Sequence, residues 1–294
     1  MGTIRVDPRA SAKIRVPPLF IPARARVAEY PIAPSSTIAH PRMRPWILAE
    51  STWKTVDATP YDVAILPWGA TEAHNYHLPY GTDTMQASWV AAESARVAWE
   101  RGAKVVVLPA IPFGVQTGQL DIRLCINLNP STQAAILADV VQTLDVQGIR
   151  KLVVINAHGG NDFRQMVREL TPRTRVFVSL VDWWKLGKPA EHYDEPGDHA
   201  GELETSVMLH IVPDLVRPLG EAGPGRERKP NIAALREKWA WAPRPWTKVS
   251  ADTGVGDPSR ATVEKGRAHL AAVTEQIAGF VVDLAKADVS RLYE

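Results

Sequence analysis

The sequence predicts an α/β protein, specifically a three-layer α/β/α sandwich built on a mostly parallel sheet. The first observation behind this prediction is that short apolar runs rich in β-branched residues alternate along the chain with helix-forming stretches. Such alternation is typical of a parallel sheet covered by helices on both faces. The second observation is that 45% of the 294 residues are hydrophobic and 22% are charged, which is ordinary for a globular protein with a large core.

The individual elements are placed from these runs. Strands are predicted over residues 63–67, 104–108, 151–155 and 175–181. Helices are predicted over residues 84–101, 131–147, 162–170, 200–211 and 261–287. The last helix has an apolar stripe at helical spacing, formed by Leu270, Val273, Ile277, Val281 and Leu284. Residues 213–258 are predicted to be a long irregular excursion, whose tryptophans Trp239, Trp241 and Trp246 we expect in the core or at a subunit interface.

Residues 1–45 differ from the rest of the chain. They contain eight prolines and eight Lys or Arg residues, against two acidic residues, Asp7 and Glu29. Proline at this density removes backbone donors and blocks helix formation. We predict an extended, basic N-terminal arm over 1–45 that packs on its own body or on a neighbouring subunit, with a disordered tail as the alternative. The catalytic domain then spans residues 46–294.

Charge and cysteine content exclude several classes of protein. The net charge is +2 at pH 7, so nothing in the balance points to nucleic acid or to a membrane as a partner. The sequence shows neither the uninterrupted apolar core of a signal peptide nor a fully apolar run of about 18 residues, and we expect a soluble, cytoplasmic protein. Its single cysteine, Cys125, cannot form an internal disulfide. We interpret it as a structural thiol rather than a nucleophile.

The first segment that suggests chemistry covers residues 67–83, directly after a predicted strand. Glu72 and His74 are two residues apart, so in an extended loop their side chains can point the same way. Asp83 follows after Pro79 and Gly81, which can turn the chain back toward them. Two carboxylates and an imidazole are ligands that a divalent transition metal prefers. A solvated surface loop is the alternative for this segment taken alone.

Two further segments place ionisable residues after predicted elements. Residues 156–161 run from a strand into His158, Gly159 and Gly160, where the glycines let a ligand or metal approach closely. A histidine bound only to the backbone is the alternative there. Residues 197–206 hold His199 at the mouth of a predicted helix, with Glu204 inside it. Glu202 points about 200° away from Glu204 on a helix, and we expect it to act only on the helix dipole, by about 0.3–1 kcal/mol.

The three segments together resemble the signature of the creatininase (creatinine amidohydrolase) family. The family pattern Pro-x-Gly-x-x-Glu-x-His-x-x-His-Leu-Pro-x-x-x-Asp occurs at 67–83, Asn-x-His-Gly-Gly-Asn at 156–161, and His-Ala-Gly-x-x-Glu-Thr-Ser at 199–206. The residues around 256–266 also resemble the entry to the family's C-terminal helix. The resemblance covers roughly residues 46–290, and three motifs in the family order are far more specific than one.

The resemblance implies a homo-oligomer, often a hexamer, that hydrolyses an amide with two divalent metal ions, Zn²⁺ or Mn²⁺ with Fe²⁺ as a further option. By position, Glu72 and His158 would hold one ion and His74 the other, with Asp83 bridging both. Ions about 3.5–4 Å apart can acidify a bridging water, whose hydroxide attacks the amide carbonyl. His199 or Glu204 would then protonate the departing nitrogen, and Glu204 would also serve as a metal ligand.

Departures from creatininase proper bear on the substrate. Creatininase has Tyr-Glu after the metal-binding histidine, and that glutamate is a ligand of the second ion. Here Gly159 and Gly160 occupy these places, so we expect Glu204 to substitute and creatinine to be a poor substrate. The chain is therefore similar to the family's Gly-Gly members, which act on C–N bonds of formamides or peptide-like amides. We expect a small cyclic amide, a formamide or a peptide-like substrate, and a bond other than a peptide bond.

The sequence also suggests which residues bind the substrate, and it leaves two other functions open. We assign six residues to substrate binding, namely Tyr76, His77, Gly159, Gly160, Trp183 and Trp184. Core packing is an equal alternative for the two tryptophans. A dinuclear metal phosphoesterase is the second enzyme class, although the three motifs contain no Lys or Arg to hold a phosphate. A binding or scaffold protein without turnover is the third reading, and it would have no need of these ligand types.

Overall fold

The structure, a computed structural model, describes residues 43–293. Its helices are α1 Trp53–Asp57, α2 Thr82–Glu100, α3 Pro130–Gln147, α4 Arg164–Leu170, α5 Glu202–Ile211, α6 Ala233–Arg236, α7 Trp246–Val249 and α8 Val263–Lys286. Its strands are β1 Val63–Trp68, β2 Val105–Val107, β3 Lys151–Asn156 and β4 Phe177–Asp182. Every predicted helix and strand is present, and each end lies within two residues of its prediction.

The sheet has the strand order β2-β1-β3-β4, and all of its neighbouring strands are parallel. Ile65 on β1 lies opposite Val107 on one side and Val153 on the other. Side chains of each strand alternate between two faces. Ile65 packs with one buried cluster, which includes residues of α2, α5 and α8, and Leu66 packs with another, which includes residues of α3. The predicted three-layer α/β/α sandwich is confirmed.

Helix α8 closes one face of the sheet. Its predicted apolar stripe is buried throughout, from Leu270 to Leu284, and full burial of one such side chain contributes about 1.5–3 kcal/mol. The helix has 24 residues and is long and apolar enough to cross a membrane by length and composition. Core helices meet the same criteria, and the apolar stripe of α8 is buried in the protein. The expected cytoplasmic location stays a prediction.

The excursion over residues 213–258 is mostly irregular and contains two short α-helices, α6 and α7. Its tryptophans do not share one environment: Trp246 is buried, whereas Trp239 and Trp241 are 75% and 85% exposed. A core role is therefore confirmed only for Trp246. The predicted arm lies outside the described residues except for 43–45, where Arg44 pairs with Glu50, and its packing stays a prediction.

Candidate metal centre

A cavity of about 630 Å³ lies where the strands of the sheet end. Strand β1 ends at Trp68 and β3 at Asn156, and the chain then continues into Glu72 and His158, which both line the cavity. Parallel strands bring their carboxyl ends to one edge, where open α/β sheets bind ligands. The first two segments found in the sequence therefore meet in space as predicted.

The loop after β1 turns back on itself to bring its own acids together. Asn75 has a left-handed backbone (φ 55°), and the Leu78 amide donates to the His74 carbonyl over 3.3 Å. Asn and Asp tolerate this conformation better than other side chains. The chain thus returns to the start of α2, where Oδ1 of Asp83 lies 3.0 Å from Nε2 of His74. Glu72, His74 and Asp83 are each at least 99% buried.

Three histidines face the centre, and each has one ring nitrogen fixed by a backbone carbonyl. Nδ1 of His74 donates to the Glu72 carbonyl over 3.1 Å, and Nε2 of His158 donates to Val115 over 3.0 Å. Nε2 of His199 donates to Ala73 over 2.8 Å. A carbonyl cannot donate, so in the neutral imidazole these bonds leave the opposite nitrogen of each ring bare. Metal-binding histidines are oriented in this way.

The bare nitrogens and the carboxylates form two groups of three that share Asp83. Glu72, Asp83 and His158 form one group, and His74, Asp83 and Glu204 form the other. In the first group, Nδ1 of His158 lies 2.8 Å from Oε1 of Glu72 and 3.3 Å from Oδ2 of Asp83. Oδ2 of Asp83 is buried and makes no hydrogen bond. A buried acceptor without a hydrogen bond, next to imidazole nitrogens, fits a bound cation.

His199 belongs to a third group. Its Nδ1 lies 3.8 Å from Oε1 of Glu72, and its ring centroid lies 4.2 Å from that of His74 with the two rings tilted by 35°. Glu72, His74 and His199 could together offer a further set of metal ligands. Because Trp246 packs its ring at 84° against His199, with 5.2 Å between the centroids, the imidazole is held between an aromatic ring and the ligand cluster. This position suits either a ligand or a group that moves a proton.

The third segment differs from its prediction at the helix start. Helix α5 begins at Glu202 rather than at residue 200, because Ala200 has a left-handed backbone (φ 50°). Oε2 of Glu204 accepts a hydrogen bond from the Ala200 amide and lies 4.0 Å from Nε2 of His74. Glu204 therefore lies beside His74 and Asp83, and its expected role in place of the missing carboxylate stays a prediction.

Glu202 points away from the centre, also as predicted, but it does more than act on the helix dipole. Its buried carboxylate pairs with Lys265 of α8 and accepts a hydrogen bond from the Glu195 amide over 2.9 Å. The expectation of a dipole effect alone is therefore wrong. The ion pair ties α5 to α8 behind the site.

Burial and neighbouring charges shift the pKa values of the ionisable groups in the centre. Burial lowers the pKa of His74, but the Asp83 carboxylate, with Glu204 and Glu72, outweighs burial and raises it to about 10. Burial also opposes ionisation of Glu72, yet His158, His199 and His74 hold its pKa well below the usual value. Burial instead raises the pKa of Glu204 against the pull of the histidines. Burial likewise opposes protonation of His158, but Glu72 and Asp83 raise its pKa well above the usual value. In metal-free protein His74 and His158 therefore hold protons that a divalent cation would displace.

The two glycines after His158 have different roles. A Cβ at Gly160 would lie 2.0 Å from the Val115 carbonyl and 2.5 Å from Nε2 of His158, so no side chain fits there. Gly159 has nothing within 4 Å of such a Cβ and lines the cavity. Glycine is thus required at 160 by close packing, whereas at 159 it leaves space open to the cavity.

The expected substrate wall is corrected at three positions. His77 is buried away from the cavity, where its Nε2 lies 2.8 Å from Oγ1 of Thr205 and burial lowers its pKa to about 4. Tyr76 is 63% exposed and does not line the cavity, because the turn at residue 75 directs it outward. Trp183 is buried in the core, whereas its neighbour Trp184 lines the cavity. Gly159, Gly160 and Trp184 thus remain.

Several residues at the cavity come from segments without a recognisable motif. Gln119 and Val115 lie between β2 and α3, and Gln119 donates a hydrogen bond to Oε2 of Glu72. Trp241 and Arg244 come from the irregular excursion and line the cavity mouth. Such residue types are common in any loop, so the sequence carries no signal of their proximity to the centre.

Comparison with known proteins agrees with the geometry. A sequence profile of the creatininase family, described as creatinine amidohydrolase, matches residues 49–281. The mycofactocin precursor peptide peptidase of Mycobacterium tuberculosis is 31% identical over 224 residues, which cover 72% of this chain and 81% of that protein. The creatinine amidohydrolase of Pseudomonas putida is 29% identical over 194 residues, covering 58% and 73%.

Solved structures show the same fold. A Bacteroides fragilis protein with a proposed assignment as a creatinine amidohydrolase superposes with a TM-score of 0.80 at 43% identity, covering 84% of this chain and 98% of its own. A manganese form of creatininase superposes with a TM-score of 0.66 at 25% identity, covering 82% and 99%. The strand topology, the ligand cluster and these matches agree: the chain belongs to the creatininase family of amidohydrolases.

Proposed function

We propose that this protein is an amidohydrolase with two divalent metal ions per chain. Glu72, Asp83 and His158 would hold one ion, and His74, Asp83 and Glu204 the other. The observation that carries the proposal is the pair of ligand groups that share the buried Asp83, whose Oδ2 has no hydrogen-bond donor. Imidazole and carboxylate ligands suit Zn²⁺ or Mn²⁺, and creatininase structures include manganese and zinc–zinc forms.

The protein side chains around the centre supply the remaining chemistry. When bound, such ions would lower the pKa of a water and polarise the amide carbonyl. Nδ1 of His199 lies 3.8 Å from Oε1 of Glu72, where it could take a proton from the attacking water and pass it to the departing nitrogen. Such general acid–base work typically contributes about 10²–10⁴-fold. Glu204, whose pKa burial raises, is the second candidate for this proton transfer.

We further propose that the substrate is a linear amide, either a formamide or a peptide-like molecule, rather than creatinine. The cavity has a volume of about 630 Å³, and Gly159 leaves one of its walls open. A pocket of this size accepts molecules much larger than a single small ring. A relative whose match covers 72% of this chain is a peptide peptidase. We therefore include peptide bonds among the bonds that this protein is proposed to cleave.

Assays of a substrate panel test this proposal. With Zn²⁺- or Mn²⁺-loaded protein, we expect hydrolysis of N-formyl amino acids or short peptides at least about tenfold faster than hydrolysis of creatinine, since pocket shape discriminates between substrates by roughly 10–200-fold. The Asp83→Asn variant, purified in parallel, reports contaminating amidases. Creatinine turnover equal to that of the best panel member would refute the substrate assignment.

A phosphate monoester in the same panel tests the second enzyme class. Arg244 is the one Lys or Arg among the described residues that line the cavity, and its Nη1 already donates to Oδ2 of Asp198 over 2.6 Å. Phosphate sites usually add several basic or backbone donors. We therefore expect the monoester to remain intact while amides are cleaved.

A further inference from the structure

A loop between β2 and α3 supports one half of the candidate metal centre. Residues on both sides of Glu72 are bound to it: Nε2 of Gln116 donates to the Thr71 carbonyl over 2.7 Å, and the Ala73 amide donates to Sγ of Cys125 over 3.3 Å. The Ile126 amide donates to the same Thr71 carbonyl over 3.0 Å. The backbone that carries Glu72 is therefore fixed before and after it.

The same loop reaches the Glu72 side chain itself. Gln119 is 95% buried and lies at the end of a 3-10 turn over Thr117–Gln119. Its Nε2 donates to Oε2 of Glu72, while its Oε1 accepts a hydrogen bond from the Cys125 thiol over 3.3 Å. The chain of contacts runs from thiol to amide to carboxylate. It leaves Oε1 of Glu72 facing His158 at 2.8 Å.

The carboxylate and the thiol together fix which way the amide points. An amide can be rotated by 180° to exchange its oxygen and nitrogen. With S–H on one side as a donor and an ionised carboxylate on the other as an acceptor, one orientation alone satisfies both neighbours. Burial raises the pKa of Cys125, which keeps the thiol protonated. Cys125 is thus a structural thiol, as its sequence context predicts.

Among the described residues, the loop hydrogen-bonds to residues of only one of the two ligand groups, the group of Glu72, Asp83 and His158. His158 also depends on it, because its Nε2 donates to the Val115 carbonyl over 3.0 Å. In the other group, His74 is fixed by the Glu72 carbonyl and Glu204 by the Ala200 amide. These two partners lie outside the loop. A change at Gln119 should therefore act on the group of Glu72, Asp83 and His158.

We infer that Gln119 is a positioning residue that holds Oε2 of Glu72 and leaves Oε1 to face the ligand group, with Cys125 helping to set the orientation of the Gln119 amide. This inference rests on the proposed two-metal function and adds that the two sites respond differently to one substitution. Partners of metal ligands typically change metal affinity by about 10–100-fold when they are lost. Gln119→Met keeps the length of the side chain but removes its donor.

Zn²⁺ titration of chelator-stripped full-length protein, in competition with a chromophoric chelator, tests the inference. We expect wild-type protein to bind two ions, and Gln119→Met to weaken one dissociation constant by about 10–100-fold while the other stays within about threefold. Gln142→Met, the same change on the exposed side of α3, should alter neither. Equal constants for Gln119→Met and wild type, or equal loss at both sites, would overturn the inference.

If Gln119→Met fails to fold, the Zn²⁺ dissociation constants of Cys125 variants test the inference independently. Cys125→Ser retains a donor to Oε1 of Gln119 and should keep both constants near the wild-type values. Cys125→Ala loses the donor and should weaken the same single site by a smaller factor. If serine and alanine behave alike, the orienting role is wrong. If wild-type protein binds no Zn²⁺, the proposed function fails, and this inference fails with it.

Discussion

Asp83→Asn should remove at least one metal ion per chain and lower amide hydrolysis by more than about 100-fold. Asp83 lies within reach of both halves of the centre, with Oδ1 3.0 Å from His74 and Oδ2 3.3 Å from His158. Asparagine keeps the size of the side chain but loses the charge that both groups share. The loss should exceed the roughly 10–100-fold typical of a partner that only orients a ligand. Elemental analysis and initial rates on the same preparation measure both effects.

Asp162 provides a matched control for this substitution. It lines the same cavity but is exposed and outside the ligand groups, and its carboxylate accepts a hydrogen bond from the Arg164 amide over 3.2 Å. Asp162→Asn should retain both ions and most of the activity. An Asp83→Asn protein with the metal content and rate of the Asp162→Asn protein would rule out a shared ligand at position 83.

Glu204→Gln should weaken the binding of one of the two ions and lower the rate at least about a hundredfold. A loss of this size is typical when a general acid or base is removed. Its Oε2 lies 4.0 Å from Nε2 of His74, and glutamine cannot supply the negative charge at that point. The stability of the metal-free protein should change little, because burial already raises the pKa of this carboxyl and its charge is costly there. Rates, metal content and urea midpoints separate these effects.

Glu202→Gln is the matched comparison, and it should lower stability while leaving metal binding and rate intact. Its carboxylate is buried and pairs with Lys265, so the substitution should reduce the free energy of unfolding by about 1–3 kcal/mol. Metal content and rate at a permissive temperature should stay near wild type. A catalytic loss for Glu202→Gln together with a mild effect of Glu204→Gln would reverse the assignment of the two glutamates.

The layers of the fold were predictable because each strand is a short apolar run with a helix after it. Alternate residues of β1, such as Ile65 and Leu66, pack on opposite faces, as a strand covered on both sides requires. The start of α5 was less predictable, because Ala200 has a left-handed backbone that alanine rarely adopts. Such a conformation arises from the surrounding contacts and leaves no local signal.

The candidate ligand residues were predictable because they lie in three recognisable motifs, whereas the wall of the cavity was not. His77 and Tyr76 lie within the first motif but point elsewhere, since a turn at residue 75 fixes their directions. Gln119 and Arg244 approach from segments far away in the sequence. Their positions depend on long-range packing, which residue spacing along one chain does not encode.

The metal content of the purified protein tests the central claim most directly. Full-length protein prepared without chelator, supplied with Zn²⁺ or Mn²⁺ and freed of excess metal, should retain two divalent ions per chain by elemental analysis. The two ligand groups that share Asp83 predict this number. Protein that retains no divalent ion under these conditions would contradict the two-metal centre and the hydrolytic chemistry built on it.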